Sequence, residues 1–184
     1  VVGTSQPITW TKKGNINTIA LYYSTDAGSN YTGIPSATGI PASNLSWNWD
    51  IATSTVLTKQ GRVKIVDESK PGIVYDTSDS NFEMKGVLTL NTPSDSGIIL
   101  YVGDSYNITW TRLGGISNVR IEYSTDGGST YPNSVVDSTP AVSGTYPWPV
   151  PDKILGNNLR VKVSDVDNVS VFDTSKNNFE ILGK

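Results

Sequence analysis

The side chains able to do chemistry in this chain are carboxylates and aromatics, because cysteine and histidine are both absent. Their absence removes thiol nucleophiles, the usual zinc ligands and the one side chain that titrates near neutrality. Two chemistries remain open to carboxylates alone. Glycoside hydrolysis needs only a pair of them, and a calcium ion needs hard oxygen ligands gathered around a loop. Asp67, Asp76 and Asp79, with Asp165, Asp167 and Asp173, are the candidates for calcium. Their spacing does not follow the EF-hand pattern, and Asp79 is answered by Lys176 in the matching stretch. A module of about 90 residues with mostly short loops has no room for a deep cleft. The expectation is therefore no catalytic residue, no cofactor and no metal. Asp26 and Asp126 lie in Ser-Thr-Asp-x-Gly, where a short carboxylate accepts backbone N–H bonds and glycine takes the positive φ, so they read as turn residues.

Aromatic faces could bind a sugar ring. Trp10, Trp110, Trp49 and Trp148 recur at matching positions on alternating segments, which points to core packing, since large aromatics dominate such interiors. Trp47 is the better ligand candidate because Tyr146 replaces it, although its in-phase spacing with Trp49 also favours packing. Tyr22, answered by Glu122, is read as facing outward, and a binding face would need Tyr22, Tyr75 or Trp47 to line up. No ligand-binding residue is assigned beyond these candidates. Asn30, Asn44, Asn107 and Asn168 each open an Asn-x-Ser/Thr sequon, a weak signal in a chain this rich in those residues.

What positions these residues is a duplication. Ile8-Thr9-Trp10-Thr11 returns as Ile108-Thr109-Trp110-Thr111, and over Ile8 to Tyr31 13 of 24 residues recur identically at an offset of 100. The offset slips to 99 where Trp47 to Ile51 meets Tyr146 to Val150, and to 98 where Arg62 to Ile65 meets Arg160 to Val163. It reaches 97 where Val74 to Ser78 and Asn81 to Glu83 return as Val171 to Ser175 and Asn178 to Glu180. Slips of one residue belong in loops, and the order never changes. Two tandem domains are expected, at residues 1–86 and 87–184.

Within one copy, Val119, Ile121 and Tyr123 alternate with Arg120 and Glu122, and Leu159, Val161 and Val163 alternate with Arg160 and Lys162. A period of two marks half-buried strands. Ile108 with Trp110, Tyr146 with Trp148 and Val150, and Phe179 with Ile181 give three more such faces. Leu88 to Leu90 with Ile98 to Leu100 reads as an opening strand, and the stretch from Pro132 to Gly144 reads as turn. Helical spacing is absent. Short strands with regular turns predict an all-β chain of two sandwiches.

Ile-Thr-Trp-Thr, Tyr-Ser-Thr-Asp-x-Gly-Ser-x-Tyr, the Trp before Ile51 or Val150, Arg-Val-Lys, and Asp-Thr-Ser-x-x-x-Phe-Glu together resemble a module repeated in large microbial surface proteins. That module is similar to Ig-like and fibronectin-type-III-like domains, and to the Ig-like domain of fungal cell-wall glucan-synthesis proteins. The resemblance implies the fold, but such modules serve as spacers, adhesion units and accessory domains alike. The first copy lacks the opening strand that the second carries before Gly103. Two readings stand: a boundary falling inside a module of a longer array, or a groove completed by another chain's strand, which would build a filament. The second reading expects a neighbour's strand beside Thr4 to Thr11.

The charge balance is 14 basic against 17 acidic residues, net −3, which disfavours nucleic acid and anionic membranes as partners. No apolar run is long enough to cross a bilayer, so membrane insertion is not expected. Val1-Val2-Gly3-Thr4 lacks the basic start and apolar stretch of a signal peptide. The lack of cysteine, with abundant Ser, Thr, Asn and Gly, suits an extracellular or cell-surface protein of a bacterium or archaeon. The expected function is a rigid structural or adhesive module. Its partners would be neighbouring modules of the same polymer, cell-surface glycans or other proteins. A filament subunit and a carbohydrate-binding accessory module are the alternatives.

Overall fold

The computed structural model describes residues 1–152 and 154–184. The chain separates into two compact units, Val1–Lys85 and Gly86–Lys184. Unit 2 holds β9 (Val87–Thr92), β10 (Ile99–Tyr101), β11 (Ser105–Leu113), β12 (Asn118–Ser124), β13 (Asn133–Pro140), β14 (Thr145–Pro149), β15 (Gly156–Asp165), β16 (Phe172–Thr174) and β17 (Phe179–Leu182). One sheet runs β14-β11-β9 and the other β10-β17-β15-β12-β13, with β16 also on β15. Every pairing is antiparallel except β10 with β17.

The alternation explains this sandwich. Val119, Ile121, Val161 and Val163 are fully buried while Arg120, Glu122 and Lys162 face out, as a period of two requires. Trp148 lies between Tyr123 and Phe179, with ring centroids 5.4 and 6.2 Å away, the second contact edge-on. Trp110 is 2% exposed, and its indole N–H donates to the Ala141 carbonyl at 2.9 Å. That carbonyl is offered by a single 3-10 turn, Ala141–Ser143. A buried indole needs such a partner.

Unit 1 repeats the plan with β1 (Ser5–Thr9), β2 (Thr18–Ser24), β3 (Thr32–Gly33), β4 (Ile40–Pro41), β5 (Ser46–Asp50), β6 (Thr58–Asp67), β7 (Tyr75–Thr77) and β8 (Phe82–Met84). β1 pairs with β5 alone, and the second sheet runs β3-β2-β6-β7, with β4 on β2 and β8 on β6. Tyr23, Trp49 and Phe82 repeat the aromatic stack at 5.1 and 6.4 Å. Trp10 donates to Ala42 as Trp110 does to Ala141, at 3.1 Å. The chain is all-β, in two tandem sandwiches of which the first lacks its opening strand.

Two expectations are corrected. Pro132 to Gly144 is not a turn: Asn133–Pro140 forms an eight-residue strand on β12, followed by the 3-10 turn. Val135, Val136 and Thr139 favour the extended chain, and its only proline lies at the end of a strand that pairs on one side, where a missing N–H costs little. The opening strand is two strands in different sheets, β9 on β11 and β10 on β17, with the chain crossing between them through residues 93–98.

Candidate functional site

Of the carboxylates weighed for calcium, Asp67, Asp76, Asp165 and Asp173 each accept a backbone N–H. Asp67 Oδ1 accepts the Ser69 amide at 2.9 Å and its hydroxyl at 2.7 Å, bonds that keep its pKa below the ordinary value. Asp165 Oδ1 accepts the Asp167 amide at 2.9 Å, and Asp76 Oδ1 the Thr77 amide at 2.8 Å. Among the described residues no three acidic groups gather around one point. Asp173 crosses between sheets: its Oδ2 accepts the Leu90 amide of β9 at 2.8 Å.

Asp26 and Asp126 build the two matching turns. Ser24 Oγ donates to Asp26 Oδ1 at 2.7 Å and accepts the Gly28 amide at 2.9 Å, while Asn30 donates its amide to Oδ1 at 2.9 Å and its side chain to Oδ2 at 2.6 Å. These donors, the Asn30 side chain foremost, lower the Asp26 pKa from 3.8 to about 2. In unit 2, Ser124 and Thr130 do the same for Asp126, and its pKa is lowered further still. The Asn30 side-chain amide of that sequon is thus engaged in its turn.

Two surfaces of unit 1 distinguish it from unit 2. The first is the outer face of the β2-β6 sheet. Tyr22 stands opposite Lys64, and the Lys64 ammonium lies 4.4 Å from the Tyr75 ring centroid and 5.4 Å from that of Tyr31. Tyr75 is 56% exposed. So Tyr22 and Tyr75 do share a face, joined there by Tyr31, whose place the sequence reading overlooked. Trp47 does not join them: it pairs with Ile8 and packs half-buried against the core. In unit 2 the same face carries Glu122, Tyr131 and Phe172 around Lys162, and Glu122 lies 3.5 Å from the ammonium.

The second surface is the inner one left bare by the missing strand. Ile108, Trp110, Val161 and Val163 are each 2% exposed or less, whereas Ile8, Trp10, Val63 and Ile65 are only half-buried. Between them lies a groove of about 260 Å³ with Asp76, Ser78 and Asp79 along its polar side. Trp10 was expected in the core with the other tryptophans; it packs against the core but keeps part of its ring accessible, because β9 has no counterpart over it. The backbone that β9 covers in unit 2, Thr109 to Leu113, corresponds to Thr9 to Lys13, which overlaps the stretch Thr4 to Thr11.

No family model and no curated protein matches the chain. Solved structures similar to it include the fibronectin(III)-like modules of Clostridium thermocellum CbhA, at 15% identity over 99% of this chain and 87% of that one, with a TM-score of 0.36. The three N-terminal domains of the bacteriophage RB49 outer capsid protein Hoc are 14% identical over 98% and 55%, with a TM-score of 0.30. Dpr11 IG1 bound to DIP-gamma IG+IG2 is 8% identical over 98% and 92%, with a TM-score of 0.33. The expected likeness to fungal glucan-synthesis proteins has no counterpart among these three. In unit 2 a three-stranded sheet faces a larger one with the opening segment shared between them, and unit 1 repeats this order without that segment, so both are Ig-like or fibronectin-type-III-like sandwich modules.

Proposed function

We propose that the chain is a pair of rigid structural modules of an extracellular or cell-surface protein, spacing or displaying its neighbours along a polymer. The observation that carries this reading is which residues the two copies share. The aromatic stack, the Trp10 and Trp110 indole bonds and the Ser-x-Asp turns are all duplicated. What the duplication repeats is packing and turn geometry, the requirements of a shape. Immunogold labelling and protease shaving of the intact organism test it: surface exposure of the parent protein is expected, and a protein found only inside the cell overturns the reading.

A carbohydrate-binding role draws support from Tyr22, Tyr31 and Tyr75 around Lys64. Aromatic faces beside a cation suit a sugar ring with hydroxyls at its rim. A glycan array is expected to give hits that Tyr75→Ala abolishes; an empty array removes this role.

A further inference from the structure

We propose that the outer face of unit 1 is a seat for an acidic sugar, a uronate-type residue of a polysaccharide whose carboxylate meets Lys64 while its ring lies against the tyrosines. The proposal rests on the carbohydrate-binding reading and narrows it to one class of saccharide.

Unit 2 shows that face with its charge satisfied. Glu122 stands opposite Lys162 on the β12-β15 ladder, and its carboxylate lies 3.5 Å from the ammonium. Tyr131 and Phe172 place their ring centroids 5.7 and 5.3 Å from the same ammonium. In unit 1 the lysine and both rings recur, as Lys64, Tyr31 and Tyr75, but Tyr22 takes the place of the acid. Among the described residues no carboxylate pairs with Lys64. Arg62, next along the same face of β6, donates to the Asn81 side chain and to the Ser78 carbonyl, each at 2.8 Å. Asp26, which follows β2, has both carboxylate oxygens bonded within its own turn.

A half-buried ammonium met only by ring faces keeps most of its charge unanswered, because a cation–π contact is weaker than a hydrogen-bonded ion pair. The carboxylate that unit 2 supplies from its own strand is therefore left, in unit 1, to a ligand. The surrounding surface says what carries it. Tyr75 stays 56% exposed beside Lys64, and Gly33, opposite Tyr22 on β3, has no side chain to cover the Tyr22 ring. Open aromatic faces accept the C–H side of a pyranose, and the tyrosine hydroxyls, with that of Thr77 opposite Lys64 on β7, can exchange hydrogen bonds with its hydroxyls. An acidic peptide would answer the lysine and leave the rings unused. A single-stranded nucleic acid would use the rings, but it needs a track of cations along its backbone, which one lysine and one committed arginine do not provide.

The full chain is to be titrated at low salt with a galacturonate hexamer, with its carboxyl-reduced galactose counterpart and with a glutamate hexamer, each followed by NMR. The galacturonate hexamer is expected to bind about fivefold more tightly than the reduced one, with shifts centred on Lys64 and Tyr75. Lys64→Gln is expected to erase that margin. Tyr22→Glu, which gives unit 1 the acid that unit 2 already accommodates, is expected to erase it too, and Glu122→Tyr to bring Lys162 and Phe172 into response. If the reduced hexamer binds equally well, the carbohydrate-binding reading stands and the acidic preference falls. If the glutamate hexamer matches galacturonate, the face is an anion site with no use for a sugar ring, and if neither saccharide moves Lys64 or Tyr75, both readings fall. A unit 2 still indifferent after Glu122→Tyr would show that the lysine's missing acid is not what separates the two faces.

Discussion

Units 1 and 2 carry the same aromatic stack, the same indole-to-carbonyl bond and the same aspartate turn, yet the same residue types end at different depths. Ile108, Trp110, Val161 and Val163 are interior; Ile8, Trp10, Val63 and Ile65 are half-covered. The element that covers this face in unit 2 and not in unit 1 is β9, six residues held by Leu88, Leu90 and the Asp173 carboxylate. A single edge strand thus decides whether a face is core or surface, because both of its own leucines and the four residues beneath them lose water together.

The largest effect expected of this comparison is at the paired tryptophans. Trp110→Ala is expected to destabilise unit 2 by about 3–5 kcal/mol, and Trp10→Ala to cost unit 1 roughly half as much, since less of its surface leaves water on folding. Guanidinium unfolding followed by circular dichroism measures both, and equal losses would break the comparison. Next, Leu90→Ala is expected to cost unit 2 about 2–5 kcal/mol while raising Trp110 indole exchange toward the rate at Trp10. An unchanged exchange rate would mean that β9 is not what shields Trp110.

A smaller difference is expected from Asp173→Ala, which leaves the Leu90 amide without its acceptor and should cost about 1.5–3 kcal/mol; Asp76→Ala should stay within about 0.5 kcal/mol. Backbone strain sharpens the contrast further. Ala27 has φ 58° where Gly127 has φ 73°, and Leu45 has φ 58° where Gly144 has φ 64°. L side chains resist this region, so Ala27→Gly is expected to stabilise unit 1 by about 0.5–1 kcal/mol, the relief of strain exceeding the added chain entropy. Loss of stability there would show that the turn is not strained.

The smallest effect is in acid. The folded pKa of Asp26 is depressed, so the stability its turn contributes is complete above 3.8 and is lost as pH falls toward about 2. Asp126 is held lower still and keeps its turn to more acidic pH. Carbonyl NMR titration is expected to show Asp26 protonating first, and reversed order would contradict the hydrogen-bond assignment.

Much of this was legible in the residue order. The duplication, the alternation of Val119, Ile121 and Tyr123, the Ser-x-Asp turns and the absent opening strand of unit 1 are local or repeated patterns, and strand periodicity survives whatever surrounds it. The stretch Pro132 to Gly144 was misread because its prolines and serines signal turns, while the pairing partner that makes an edge strand of it lies ten or more residues away. Tyr31 escaped notice for a similar reason: it joins Tyr22 and Tyr75 only across strands.

Sequence alone determined that the chain is two β-rich copies without cysteine or histidine, since composition and period depend on no long-range contact. Depth of burial was decided by tertiary structure alone. Trp10 and Trp110 sit in identical Ile-Thr-Trp-Thr segments, yet Trp110, beneath β9, is buried and Trp10 is half-buried. Burial is a property of what lies across the sandwich, and no local pattern encodes that.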